Sequence, residues 1–154
     1  MPVLVDGNNV AHRLEADRGS REALRRRILA GARRSRMQVE IVFDGAPPLG
    51  VPEVERLGRV TVRYAGPATA DDVIVARLPA GGRAREWTVV TDDRGLAARV
   101  RARGARVEGA APFLRRLGPA PTPGEKPETP SAEEIAELLA AFGAADPGEE
   151  RPPE

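Results

Sequence analysis

Apolar residues fall in short, branched runs separated by polar stretches of helical length. Residues 3–5, 39–43, 60–64 and 87–91 read as strands, with a weaker candidate at 105–107. Near-continuous apolar runs of this kind suit parallel strands covered on both faces. Between them the spacing becomes helical. Ser20 stands where it can cap a helix whose Leu24, Ile28 and Leu29 share one face. Asp71 and Asp72 open a second helical stretch carrying Val73, Ile74, Ala76 and Leu78. Asp93 or Arg94 opens a third, through Leu96, Ala97 and Val100, which stops near Gly104. This alternation predicts an α/β domain with a mainly parallel central sheet, strand order about 3-2-1-4-5, and helices on both faces.

The pattern breaks after Leu117, so the domain is placed at residues 1–117. Residues 118–130, "GPAPTPGEKPETP", hold too many prolines for a helix or a central strand and predict an extended linker. Residues 131–143, "SAEEIAELLAAFG", predict an acidic amphipathic helix. Ser131 and Glu134 make a capping box, Ile135, Leu138, Leu139 and Phe142 share a face, and Gly143 ends it. A lone helix of that length is marginal in water, so its apolar face is expected to dock on its own domain or on a protein partner. Residues 144–154 are expected to be disordered.

Composition narrows the chemistry. A chain of 154 residues, 41% hydrophobic and 31% charged, has room for one domain with a core and a well-solvated surface. The absence of cysteine excludes disulfides, thiol nucleophiles, zinc–thiolate sites and iron–sulfur clusters. No apolar run approaches the roughly 20 residues that span a bilayer, so the expected setting is cytoplasmic, with no membrane role. The net charge of +1 hides an asymmetry: 22 arginines face 14 acids up to Leu117, whereas 9 acids follow against Lys126 and Arg151 alone. A basic body favours a polyanionic partner such as nucleic acid. Because Lys126 is the only lysine, the body has no P-loop or Schiff-base lysine. With 3% aromatics there is no base-stacking platform, so contacts to RNA are expected mainly along its backbone. Arg25, Arg26, Arg33 and Arg34, together with Arg27, form a basic helix face that reads either as solvated or as phosphate-tracking.

The candidate chemistry lies in aspartates at strand ends. Asp6 follows the first strand in "LVDGNNVAH", Asp44 follows the second, Asp92 and Asp93 follow the fourth, and Asp71 and Asp72 begin a helix. Each alone suits a turn or a cap. In the expected sheet order, however, the strands ending in Asp44, Asp6 and Asp92 are neighbours, and their loops gather on one edge at the topological switch point. Converging carboxylates repel unless a cation sits among them, and hard oxygen ligands select Mg²⁺ or Mn²⁺. A divalent ion above a basic surface suggests phosphodiester hydrolysis. Asn8 and Thr91 are placed to position ligands or phosphate oxygens. A haloacid dehalogenase reading fails, since Asn8 stands where that chemistry needs an acid and the body lacks a lysine.

The segments "LVDGNNVAH", "IVFDG", "TADDVIVARL" and "VVTDDRGLAARVRARGARV", in this order, resemble the NYN domains of the PIN-like nuclease superfamily, and among them the bacterial YacP-like branch. The resemblance implies a PIN-like, Rossmannoid fold. It also implies a metal-dependent endoribonuclease acting on single-stranded RNA, with members of the branch linked to mRNA turnover, some at the ribosome. Carried onto this chain, it makes Asp6, Asp71 and Asp92 the catalytic metal ligands, with Asn8, Asp44, Asp72, Thr91 and Asp93 auxiliary. Arg25, Arg26, Arg33, Arg34 and Arg94 are the expected RNA-binding residues. The alternative is a module that keeps the fold and binds RNA or the ribosome without cleaving.

Overall fold

The structure, a computed structural model, describes residues 2–14 and 20–119. The expected helix at 131–143, the tail at 144–154 and most of the linker lie outside the described residues. Six strands make one sheet: β1 (Pro2–Asp6), β2 (Gln38–Phe43), β3 (Val54–Leu57), β4 (Val60–Tyr64), β5 (Thr88–Val90) and β6 (Arg106–Glu108). Their order is β3-β4-β2-β1-β5-β6, and every pairing is parallel except the β3–β4 hairpin. The five expected strands stand in the expected order. The addition is β3, an antiparallel edge joined to β4 by a two-residue turn, with Gly58 at φ +63° in the left-handed region such turns favour.

Among the described residues five α-helices cover the sheet: α1 (Gly7–Arg13), α2 (Ser20–Ser35), α3 (Ala70–Arg77), α4 (Arg94–Ala102) and α5 (Ala110–Leu117). One apolar cluster unites α1, α2 and α5 with Val3, Val5, Ile41, Phe43, Val62 and Val90 of the sheet. A second unites α3 and α4 with Leu4, Val42 and Val89. Alternate residues along β1 and β2 thus feed opposite layers, as the period of two in a strand requires. Burial on both faces is why these strands read as unbroken apolar runs rather than alternating ones.

Two helices were not expected. α1 begins directly after β1 in a sequence that reads as a turn, yet Val10 and Ala11 are buried and hold it on the sheet. α5 contains Pro112 in its first turn, where a missing N–H leaves no helical bond unmade. α5 lies close against α2: a β-carbon on Gly31 would come within 2.6 Å of the Leu117 side chain. The helix expected from Asp71 starts one residue earlier, with Thr69 as the cap; its Oγ1 accepts the Asp72 N–H at 3.1 Å. Asp93 caps α4, its Oδ1 accepting the Leu96 N–H at 3.0 Å.

Candidate active site

Register fixes the centre of the site. Val5 pairs with Val90, so Asp6, at the end of β1, comes level with Thr91, just past the end of β5. Thr91 Oγ1 donates to Asp6 Oδ2 at 2.9 Å, and both residues are buried, Asp6 to 5% exposure. This pair sits where the chain's path over the sheet reverses, β2 on one side of β1 and β5 on the other, the place where open α/β sheets form ligand crevices. The next residue is Gly7, and a β-carbon there would lie 2.5 Å from a Phe43 ring carbon and 2.9 Å from the Val42 carbonyl oxygen. Only glycine lets α1 start this close to β2.

The two amides of "DGNN" each hold one neighbouring loop. Asn8 Oδ1 accepts the Asp44 N–H at 2.9 Å, and Asn9 Oδ1 accepts the Asp92 N–H at 2.8 Å. The loops after β2 and β5 are thereby pinned on either side of Asp6. Sequence reasoning singled out Asn8 but passed over Asn9, whose signal was its place beside Asn8 in a helix following a strand.

Burial pushes the Asp6 carboxyl up to about 6, against the relief of the Thr91 hydroxyl, and the charges of Asp71 and Asp44 push the same way. Asp71, in the first turn of α3, is raised too, by burial and then by Asp93 and Asp44. Asp72 faces away toward α4, where Arg99 Nη2 donates to its Oδ1 at 2.8 Å and holds its carboxyl low. Asp44 Oδ1 accepts the Ala70 N–H at 2.8 Å, anchoring the start of α3. Asp44 thus acts on both Asp6 and Asp71, and Asp93 and, least, Asp72 act on Asp71.

Asp92 is used differently. Its Oδ2 accepts from Arg13 Nε at 2.8 Å and its Oδ1 from the Ala110 N–H at 3.1 Å, tying the end of α1 to the start of α5. The neighbouring strand ends are as expected, but their carboxylates part company beyond the backbone. Among the described residues, no three His, Cys, Asp or Glu side chains stand close enough together to enclose a metal ion.

A model of the YacP-like NYN domain matches residues 3–137, most of the chain and further than Leu117. The chain belongs to the YacP-like NYN domain family. NYN domains fall within a nuclease family, which gives the acidic cleft its setting. Among solved structures the chain is similar to Rae1 (YacP) from Bacillus subtilis, at 22% identity and TM-score 0.56, covering 76% of this chain and 74% of that one. A second crystal structure of Rae1 gives the same identity and TM-score, with 73% of that chain covered. This likeness establishes a shared fold. No curated protein matches the chain.

Most of the arginines expected to track RNA on this NYN domain are engaged by the protein. Arg27 donates to the Leu114 and Gly118 carbonyls at 3.1 and 3.2 Å, and Arg34 to the Leu117 carbonyl at 2.7 Å. Both satisfy the last carbonyls of α5, where cations are favoured. Arg25 pairs with Glu55 at 2.8 Å, and Arg26 reaches Glu22 at 3.5 Å. Arg94 is exposed at the first turn of α4. No helix among the described residues is long and apolar enough to cross a membrane.

Proposed function

We propose that this NYN domain is a divalent-metal-dependent endoribonuclease that cuts single-stranded RNA in the cytoplasm, with messenger RNA, met at the ribosome, as the form the family resemblance suggests. The observation that carries this reading is the buried Asp6, with its proton affinity raised by burial, Asp71 and Asp44, at the switch point of the sheet. Carboxylates forced together in this way are stabilised by a cation. The donor set is all hard oxygen, which fits Mg²⁺ or Mn²⁺; Mg²⁺ keeps several waters and takes one or two carboxylates plus substrate phosphate.

Asp6 and Asp71 would hold the ion. Asp93 would add negative charge beside them, since it acts on Asp71, whereas both oxygens of Asp92 are bonded to Arg13 and α5. Asp44 adds negative charge from the other side of β1. The ion, when bound, would acidify the attacking water and neutralise charge on the phosphate. Thr91 orients Asp6, and its Oγ1 also accepts the Asp93 N–H at 3.0 Å, so one hydroxyl sets two of the acids. Asn8 and Asn9 hold the flanking loops at fixed distance. Water attacks phosphorus, the P–O3′ bond breaks, and O3′ takes the proton, leaving 5′-phosphate and 3′-hydroxyl ends.

The test is cleavage of a labelled single-stranded RNA by wild type and Asp6→Asn, with Mn²⁺ and with EDTA. Cleavage by wild type, lost in the variant and in EDTA, is the expected result. If both proteins bind the RNA with equal affinity and neither cuts, a non-catalytic RNA- or ribosome-binding module replaces the nuclease.

A further inference from the structure

An open groove of about 490 Å³ leads away from the acidic cleft between α4 and β6. It is lined by Thr91, Asp92, Arg94, Ala97, Arg101 and Val107. Thr91 joins this groove to the cleft, since its hydroxyl is bonded to Asp6. Arg94 and Arg101 are seven residues apart on α4, two helical turns, and so project along the same side about 10 Å from each other. Both are exposed, and neither has a hydrogen-bond or ion-pair partner among the described residues. The one acid in the groove, Asp92, is already matched by Arg13 and the Ala110 N–H. Among the described residues, the surface left for an anion is therefore a pair of guanidinium groups with no acidic partner, beside Ala97 and Val107.

We propose that this groove is the track for the RNA strand flanking the scissile phosphate, with Arg94 and Arg101 each gripping a backbone phosphate. The assignment rests on the nuclease reading and adds to it the direction in which substrate leaves the cleft. It also moves the track away from α2. There Arg25 is held by Glu55, and Arg27 and Arg34 by the α5 carbonyls, so releasing them to RNA would leave those partners unmatched. Two cations at two-turn spacing on one helix suit a flexible polyanion.

Binding without cleavage separates this idea from catalysis. The full chain in EDTA is titrated against a labelled single-stranded RNA between 50 and 200 mM salt, and affinity is plotted against salt on logarithmic axes. Removing one phosphate contact to a single strand should flatten the slope by about 0.7. The double variant Arg94→Ala, Arg101→Ala should bind several-fold more weakly at low salt, with a slope shallower by about 1.4. Arg115→Ala, an equal charge change per site on the opposite face, should leave the slope unchanged. A double variant that binds like wild type, while Arg26→Ala weakens binding, would overturn the groove and return the track to α2. If wild type itself binds no RNA, the reading beneath falls and takes the groove with it.

Discussion

A carboxylate sealed at the end of a central strand gains proton affinity because its charged form has lost water, and Asp6 accordingly sits at about 6 rather than 3.8. Between those values the folded protein binds more protons than the unfolded chain, so this group's contribution to stability falls as pH rises from about 4 to about 6. In EDTA at pH 7, Asp6→Asn should therefore unfold at a higher temperature than wild type, and the difference should close as the pH is lowered toward 4. Thermal unfolding across that range checks it; a difference independent of pH would mean that Asp6 is not the group responsible. Asn9 should matter through position. Asn9→Ala frees the Asp92 N–H and loosens the loop that carries Asp93, and cleavage should fall about 10- to 100-fold, as for residues that orient metal ligands. Gly7→Ala meets the Phe43 ring and the Val42 carbonyl; overpacking of this kind costs about 1–3 kcal/mol, measurable by urea unfolding.

At the scale of elements, Arg27 and Arg34 of α2 act as caps for α5 before they act on anything outside the protein. Arg34→Ala removes the donor to the Leu117 carbonyl and should cost about 1 kcal/mol of stability, with RNA affinity in EDTA changed little. An unchanged unfolding midpoint beside a large loss of RNA affinity would reverse that assignment. The elements also show what a sequence displays and what it hides. β1, β2 and β5 were legible because central burial leaves apolar runs, whereas β6, an edge strand reading Arg106-Val107-Glu108, offered only a weak signal. β3 was not, being four residues at an edge with three half-exposed and none buried. α1 hid behind Gly7, Asn8 and Asn9, a turn composition overridden by the packing of Val10 and Ala11. α5 hid behind Pro112, which breaks a helix interior but not a first turn. The acids at the ends of β1 and β2, after β5 and at the start of α3 were legible as strand-end and helix-start residues. That Asp92 is tied to Arg13 and the Ala110 N–H while Asp93 caps α4 at Leu96 was not, because the two are adjacent loop residues and only their partners distinguish them.

For the whole molecule, the sheet order places the ends of β2, β1 and β5 side by side, so that one edge gathers Asp44, Asp6 and the loop bearing Asp92 and Asp93. The helix start of α3 brings Asp71 to the same edge, while 22 arginines against 14 acids up to Leu117 make the surrounding body basic. An acidic cleft in a basic body is suited to a metal cation and a polyanion together, each compensating the charge that the other would meet. The measurement that bears most directly on this is Mn²⁺ uptake, followed by loss of the free-ion electron spin resonance signal, in wild type and Asp6→Asn at several pH values. Wild type should take up Mn²⁺ more tightly as pH rises through about 6, where Asp6 gives up its proton, and Asp6→Asn should take up far less above that pH, the two converging below it. Equal uptake by the two proteins above that pH would contradict the account, since the ion would then be held somewhere other than the end of β1.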